Sequence, residues 1–355
     1  MLMAMNFFAA SNSADGFKNY YGECFERADR LFIIKGGPGT GKSTFMRRVA
    51  DMAEACGAYV EKYFCSSDHT SLDGVLFENG GEYIGIIDGT FPHPYIEKLP
   101  GLREEIVNTG SFWDRKTLKK NSDRIRELCR KKSGCYDMAY AYLRACGNLN
   151  EVYNCYDKSN LNIQKMTGAV TRLMKKISSG QKYRALPALV NCIGMLGQAH
   201  LDTFEECADK IYLISGKCGG ERFLQMLLDA AEQKKLDVRV AQSPIYHREL
   251  DGIYLEGSRI WFVKESALPD GVREKYKDKI RNINMGRFYI GGDKDSSKKE
   301  KKYCKRLLQM CVEGAQRELE HAGEYHFELE QIYKSAMNFE GLEDFVSHFC
   351  RELFS

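Results

Sequence analysis

One stretch of the chain combines glycines, a lysine and a hydroxyl at a spacing that suits phosphate binding. Residues 36–43 read GGPGTGKS and match G-x-x-x-x-G-K-[ST], in which backbone N–H groups curl around a phosphate. Lys42 is expected to reach the β- and γ-phosphates, and the Ser43 hydroxyl to ligate Mg²⁺. The pattern predicts a site for ATP and Mg²⁺. Its predicted nucleotide-binding residues are Gly36, Gly37, Pro38, Gly39, Thr40, Gly41, Lys42, Ser43 and Thr44.

A carboxylate that could complete this site ends a later apolar run. Asp88 is the last residue of YIGIID (83–88), where an acid that holds the Mg²⁺ shell through water belongs. We therefore predict Lys42 and Asp88 as catalytic residues, and Ser43 and Asp88 as metal ligands. The alternative is a strand-end aspartate that caps the next turn. Because Gly89 follows Asp88, the acid–acid pair that activates water in many ATPases is missing.

A general base must then come from elsewhere. Asp68 and Asp73 lie in CSSDHTSLDG, and His93 lies in GTFPH. Each also has a structural interpretation: Asp68 starts a turn, Asp73 with the following glycine resembles a hairpin turn, and His93 makes a local hydrogen bond. Cys65 is interpreted as a small buried hydrophobic residue rather than a nucleophile.

The elements around the glycine-rich stretch follow from its flanks. The apolar run 31–35 predicts a buried strand, and the apolar 3–4 spacing after residue 43 predicts a helix over 43–55. A second strand (58–64) and a hairpin into a third (83–88) follow. Strand–helix–strand alternation predicts a parallel sheet flanked by helices.

The chain repeats itself. ADRLFIIKG (28–36) matches ADKIYLISG (208–216), and SLDGVLFE (71–78) matches ELDGIYLE (249–256). We predict an α/β protein of two tandem P-loop NTPase domains, each a parallel sheet flanked by helices. The predicted domains span residues 1–178 and 179–355. Each ends in a helical appendage, at 117–178 and at 297–352.

The second copy lacks the phosphate-binding pattern. Aligned on the preceding strand, GKCGGERF (216–223) differs at three positions: Glu221 for Gly41, Arg222 for Lys42 and Phe223 for Ser43. Likewise, the sequence KES (264–266) stands in the place of IDG (87–89), the segment that contains Asp88. The loss of these parts predicts a degenerate site without hydrolysis. Arg222 either reaches a phosphate, in its own loop or across at the first site as an arginine finger, or is solvent-exposed or salt-bridged.

Composition excludes several classes of protein. With 52 basic and 49 acidic residues in 355, the net charge of +3 does not suggest a dedicated nucleic-acid binder. The basic stretch 115–132, echoed at 294–306, predicts an amphipathic helix with a solvated basic face. No apolar run is long enough to span a membrane, and the start MLMAMNFFAA lacks the features of a signal peptide. The 13 scattered cysteines suit reduced core residues, so we expect a cytoplasmic protein with no membrane partner.

These motifs together resemble an uncharacterised family of tandem P-loop proteins of Firmicutes, labelled ATPase or nucleotide kinase. The resemblance runs nearly end to end, through segments FFAASNSADGF, LFIIKGGPGTGKST, FCSSDHTSLDGV, IIDGTFPH and IVNTGSFWD. It implies ATP binding at 36–44, with Asp88 as the second acidic element. Members often keep a more complete phosphate loop in the second half, and this sequence departs from them there.

Three functions fit these observations. The first is a Mg²⁺-dependent ATPase with one competent site and one pseudo-site. The second is a small-molecule or nucleotide kinase, because an acceptor hydroxyl can take the place of water. The third is a nucleotide-sensing scaffold that recruits a protein partner. In each, the two domains could pair within one chain with ATP between them.

Overall fold

The computed structural model describes residues 4–91, 95–155, 161–216, 219–290 and 295–354. The strands, numbered along the chain, are β1 (Met5–Phe8), β2 (Ala10–Ser13), β3 (Gly16–Asn19), β4 (Arg30–Lys35), β5 (Val60–Phe64), β6 (Leu72–Asn79), β7 (Glu82–Asp88), β8 (Glu104–Asn108), β9 (Arg184–Pro187), β10 (Asn191–Gly194), β11 (Gly197–His200), β12 (Lys210–Ser215), β13 (Asp237–Gln242), β14 (Leu250–Leu255), β15 (Ile260–Lys264) and β16 (Ile280–Asn284). The helices are α1 (Tyr21–Cys24), α2 (Lys42–Ala55), α3 (Arg115–Lys120), α4 (Ser122–Cys155), α5 (Ile163–Met174), α6 (Thr203–Cys207), α7 (Gly220–Gln233), α8 (Asp270–Lys275), α9 (Asp295–Ser335) and α10 (Phe339–Leu353).

Two six-stranded sheets have the same strand order. The first runs β1-β5-β6-β7-β4-β8 and the second β9-β13-β14-β15-β12-β16. Most neighbours are parallel, but β6 and β14 are antiparallel to both of their neighbours. The expected α/β fold with sheets flanked by helices is confirmed, and the sheets are mixed rather than purely parallel. The repeat seen in the sequence is thus a repeat of topology.

The hairpin in the first sheet turns at a different place from the one predicted. Asp73 and Gly74 lie within β6, so the expectation of a turn there is wrong. The chain turns instead at Gly80 and Gly81, whose φ values of +61° and +90° suit glycine. Gly74 is required for packing, because a Cβ there would lie 2.7 Å from the Phe25 ring.

Alternate residues of the strands fill different cores. Leu31 and Ile33 of β4 face a core shared by the two sheets, while Phe32 and Ile34 face the core under α2. Two-residue alternation across a buried strand produces this division. The shared core places the two sheets in one packed unit.

An ion pair crosses the shared core at equivalent positions of the repeat. Glu61 of β5 is fully buried, and its Oε1 lies 2.5 Å from Nη2 of Arg239 on β13. Arg27 pairs with the same carboxylate, and Glu256 with the same guanidinium. Opposite charges at these positions let the two copies face each other across the interface, where identical residues would repel.

The helical appendages cross between the repeats. The long helices α4 and α9 pack against each other. The helix α10 packs on α2 of the first sheet, and α5 packs on α7 of the second sheet. Leu342 and Val346 of α10 thus belong to the core of β4, although their sequence lies in the second repeat. The domain bounds 1–178 and 179–355 stay a prediction about the sequence repeat. In the structure, the helix at the end of each repeat, α5 or α10, packs on the sheet of the other repeat.

The basic stretch forms two helices rather than one. Asn121 ends α3 and separates it from α4. Most of its lysines and arginines are exposed, as expected for a solvated face. Among the described residues, no helix combines the length and apolar character needed to cross a bilayer.

Candidate functional site

The glycine-rich stretch forms a tight loop between β4 and α2. Gly39 and Gly41 have φ values of +67° and +79°, and Gly41 is the N-cap of α2. Gly36 does not need a positive φ. Its lack of a side chain is required by close packing instead, because a Cβ there would lie 2.2 Å from Oγ1 of Thr109. That buried hydroxyl donates to the Lys35 carbonyl under the loop.

The loop brings Lys42 and Asp88 together. Residue 88 ends β7 and pairs with Ile34 of β4, next to the start of α2. The Lys42 Nζ lies 3.5 Å from Oδ2 of Asp88 and donates to the Gly37 carbonyl at 2.7 Å. Oδ1 of Asp88 accepts from the backbone N–H and hydroxyl of Thr90. The lysine thus binds loop carbonyls and one carboxylate, and Asp88 also caps the turn that follows it.

The hydroxyls of the loop have separate partners. The Thr40 hydroxyl is buried and donates to the Gly37 carbonyl, which braces the loop. Ser43 Oγ accepts from the Leu72 N–H at 2.9 Å, at the start of β6. Thr44 is exposed in the first turn of α2, and Pro38 lies half-buried in the loop.

The donor chemistry at this place fits Mg²⁺. A hydroxyl from Ser43 and a carboxylate from Asp88 are hard oxygen ligands of the kind that Mg²⁺ takes alongside water and phosphate oxygens. Within the described ranges, no group of three or more His, Cys, Asp or Glu side chains could hold a metal by itself.

The candidates for a general base, and the Cys65 thiol beside them, differ in hydrogen bonding and burial. Oδ1 and Oδ2 of Asp68 accept from Thr70 and Ser71, and although burial opposes it, these hydrogen bonds lower the pKa of Asp68. Asp73 is buried within β6. Burial raises the pKa of the Cys65 thiol well above its usual range, which leaves it protonated and unreactive. His93 lies outside the described residues.

Helices of the second repeat pack directly on the loop. A Cβ at Gly37 would lie 3.1 Å from the Tyr333 ring, and one at Gly39 would lie 2.8 Å from the Glu330 carbonyl. Leu342 of α10 approaches Gly41 in the same way. The end of α9 and the start of α10 therefore cover the outer side of the loop.

Two further polar residues face this site, and the sequence interpretation missed both. The His326 imidazole of α9 has Lys132 of α4, Lys42 and Asp68 among its electrostatic neighbours, and its Nε2 lies 3.8 Å from a Glu330 oxygen. Burial, followed by Lys132, lowers the pKa of His326 to about 4, so the imidazole is neutral at pH 7.

A signal for these residues was present in the helical spacing. Lys132 follows the buried Leu128 by four residues and precedes the buried Ala139 by seven, so it lies on the packed stripe of α4. His326 lies four residues after the buried Ala322 of α9. A polar residue on a packed helical stripe requires either a partner or a ligand.

The second loop aligns differently from the sequence-based expectation. Gly219 is the N-cap of α7 with φ +82°, and so corresponds to Gly41. The Leu250 N–H donates to Glu221, as the Leu72 N–H donates to Ser43. The earlier alignment is wrong because this loop is shorter. The corrected pairs are Gly219 with Gly41, Gly220 with Lys42, Glu221 with Ser43, Arg222 with Thr44 and Phe223 with Phe45.

A lysine on the strand replaces the lysine on the helix. Lys264 ends β15 and pairs with Ile214 of β12, the position that Asp88 holds in the first sheet, so the alignment of residues 264–266 with 87–89 is wrong by one residue. Its Nζ lies within 4 Å of three carboxylates, at 3.2 Å from Asp251, 3.7 Å from Glu249 and 3.8 Å from Glu221. These negative neighbours raise the pKa of Lys264 despite its burial. The second site is thus occupied by an internal cation.

The long helices also reach the second site. Asn150 and Asn154 of α4 both donate to Oε1 of Glu249, at 2.6 and 3.1 Å. Each site therefore receives polar side chains from a long helix of the other repeat, His326 in the first and the two asparagines in the second. Arg222 is exposed in the first turn of α7.

Comparison of the chain with protein-family models, curated proteins and solved structures gives no match in any of the three.

Proposed function

We propose that this chain binds Mg·ATP at residues 36–44 as a P-loop protein and hydrolyses it, while the loop of the second repeat is a pseudo-site. The observation that carries the proposal is the geometry of one lysine. Lys42 opens α2 directly after the left-handed Gly41, with its ammonium on loop carbonyls and 3.5 Å from Asp88. An ammonium held mainly by neutral carbonyls can exchange them for phosphate oxygens at little electrostatic cost.

The remaining residues support the same chemistry. The N-terminus of α2 presents backbone N–H groups and a partial positive charge to an anion. Ser43 and Asp88 would hold Mg²⁺, which supplies charge neutralisation between the β- and γ-phosphates when bound. In the hydrolysis proposed here, a water oxygen bonds to the γ-phosphorus as the bond to the β–γ bridging oxygen breaks. ADP leaves with that electron pair, and the proton of the water goes to solvent or phosphate.

The second repeat argues for a single competent site. Glu221 stands in the place of Ser43, and Gly220 in the place of Lys42, so the phosphate-binding cation is missing from α7. Lys264 is instead neutralised by carboxylates. A triphosphate would meet an acidic cluster there, and like charges at short range are unfavourable.

The test is phosphate release from Mg·ATP by the wild type, Lys42→Ala and Arg222→Ala. Arg222 is a suitable control because it is an exposed cation in the corresponding first turn. We expect release by the wild type and by Arg222→Ala, and none above background by Lys42→Ala. A wild type that binds ATP without release would contradict hydrolysis and favour the kinase or scaffold function, and an acceptor screen would separate those two. A wild type that does not bind ATP would overturn the whole proposal.

A further inference from the structure

One lysine near the first loop has no counterion in the described part of the chain. Lys132 lies on the packed stripe of α4 and is half-buried, and this partial burial lowers its pKa. No hydrogen bond or ion pair involves its ammonium among the described residues, whereas the adjacent Lys131 pairs with Glu127 at 2.7 Å. An unpaired cation in a packed interface costs free energy unless a ligand neutralises it.

The surroundings of Lys132 lie between α4, α9 and the loop. His326 of α9 has both Lys132 and Lys42 among its electrostatic neighbours. It lies one helical turn before Glu330, whose carbonyl would be 2.8 Å from a Cβ at Gly39 of the loop. The nearby carboxylates are engaged elsewhere. Asp68 accepts from Thr70 and Ser71, and Glu330 pairs with Lys334 at 2.9 Å. Lys132 is thus a cation beside the phosphate loop that the protein itself does not neutralise.

We propose that Lys132 is a second phosphate-binding cation of this site, and that it contacts the γ-phosphate of bound ATP from the helical side. The proposal rests on the proposed function, because it needs a triphosphate on the loop. Charge spreads over the γ-phosphate oxygens during transfer, so a cation placed there stabilises the transition state more than the ground state. Lys132 therefore distinguishes ATP from ADP and raises the rate. It would act from within the chain as an arginine finger does.

The experiment compares Lys132→Met with Lys131→Met. For the wild type and both variants, we would measure the dissociation constants of Mg·ATP and Mg·ADP, the rate of phosphate release, and the melting temperature without nucleotide. We expect Lys132→Met to bind ATP about tenfold to a hundredfold more weakly, the loss of one charge-assisted hydrogen bond. ADP affinity should change less than about twofold, and release should fall about a hundredfold. Lys131→Met should behave like the wild type.

The melting temperature separates a ligand-binding role from a structural one. Because Lys132 is unpaired, its replacement by methionine should leave the nucleotide-free protein at least as stable as the wild type. A marked fall in melting temperature would show a structural partner and overturn the proposal. If Lys132→Met does not fold, Lys132→Arg keeps the charge and should retain the preference for ATP, and loss of that preference would also overturn it.

The binding data distinguish this proposal from the one on which it rests. An unchanged ratio of ATP to ADP affinity in Lys132→Met, or equal loss of both, would overturn the role of Lys132 while leaving ATP binding in place. Absence of ATP binding by the wild type, or binding that survives Lys42→Ala, would overturn the proposed function and the role of Lys132 with it.

Discussion

The two strand–loop–helix junctions of the molecule share the same strand order and a left-handed glycine before the helix, but carry their lysines on opposite elements. In the first, Lys42 begins the helix and Asp88 ends the neighbouring strand, at 3.5 Å. In the second, Gly220 begins the helix and Lys264 ends the strand, among three carboxylates. One lysine is balanced by a single carboxylate and loop carbonyls, and the other is surrounded by negative charge. The difference shows how one framework can either leave a cation available for an anionic ligand or neutralise it internally.

The largest expected effect compares the two strand ends. Asp88→Asn should lower Mg²⁺-dependent phosphate release about a hundredfold, because the charge that would hold the metal shell is lost. Lys264→Asn changes the equivalent position of the second sheet and should leave release by the folded protein unchanged. Release is measured at saturating Mg·ATP, well below both melting temperatures. Equal losses in the two variants would mean that the sites do not differ in function.

The free energy of unfolding should be more sensitive to the lysine of the second site than to the lysine of the first. Lys264→Met leaves Glu221, Glu249 and Asp251 together without their cation, and should lower the free energy of unfolding by about 3 kcal/mol, as for a broken buried ion pair. Lys42→Met should cost less, since only Asp88 loses a charged partner and that carboxylate keeps its bonds from Thr90. Urea unfolding of the nucleotide-free proteins measures both. A larger loss for Lys42→Met would reverse the comparison.

A smaller effect concerns pH. Burial, together with Glu249 and Asp251, raises the pKa of Glu221 to about 7 even though Lys264 opposes it. The folded state thus holds this proton more tightly than the unfolded state, where the pKa is near 4.5. The stabilisation is fully present below about pH 4.5 and is lost as the pH rises towards 7.

Glu221→Gln removes this titration and keeps an oxygen for the Leu250 N–H. Relative to the wild type, the variant should become more stable as the pH rises from 5 to 8, in melting temperatures taken across that range. Glu232→Gln, an exposed change on the same helix, should show no such trend. A constant difference between Glu221→Gln and the wild type would contradict the raised pKa.

The smallest effect tests how the second repeat reaches the first site. Arg222 is exposed in α7, whereas α9 brings Glu330 and Tyr333 onto the loop. Arg222→Ala should therefore change the dissociation constant of Mg·ATP less than about twofold, within the range of surface substitutions. A tenfold loss of Mg·ATP affinity would indicate that Arg222 reaches the first site as an arginine finger. It would count against the interpretation that the second repeat contacts this site through its long helix.

The sequence predicted the strands and helices whose positions depend on short-range apolar periodicity. The buried strand after Asp29 and the helix from Lys42 follow from apolar periodicity, and both lie within a residue of the predicted bounds. The shared topology of the sheets followed from matching segments. Position 88 could be placed near the loop because parallel strands end at one edge of a sheet.

Tertiary packing determined what could not be predicted. Nothing in the repeat indicates that α10 packs on the first sheet, since amphipathic helices specify an apolar face and not its partner. The register of the second loop was predicted incorrectly because the shortening falls within the loop, and only the left-handed Gly219 fixes the alignment. Lys132 belonged to a run of basic residues, and its burial depends on α9.

The number of ATP molecules bound per chain tests the central comparison most directly. Equilibrium dialysis with Mg·ATP should give one site per chain for the wild type and for Lys264→Asn, and none for Lys42→Ala. Two equivalent sites in the wild type, or one site that survives Lys42→Ala, would contradict the account of a single available lysine.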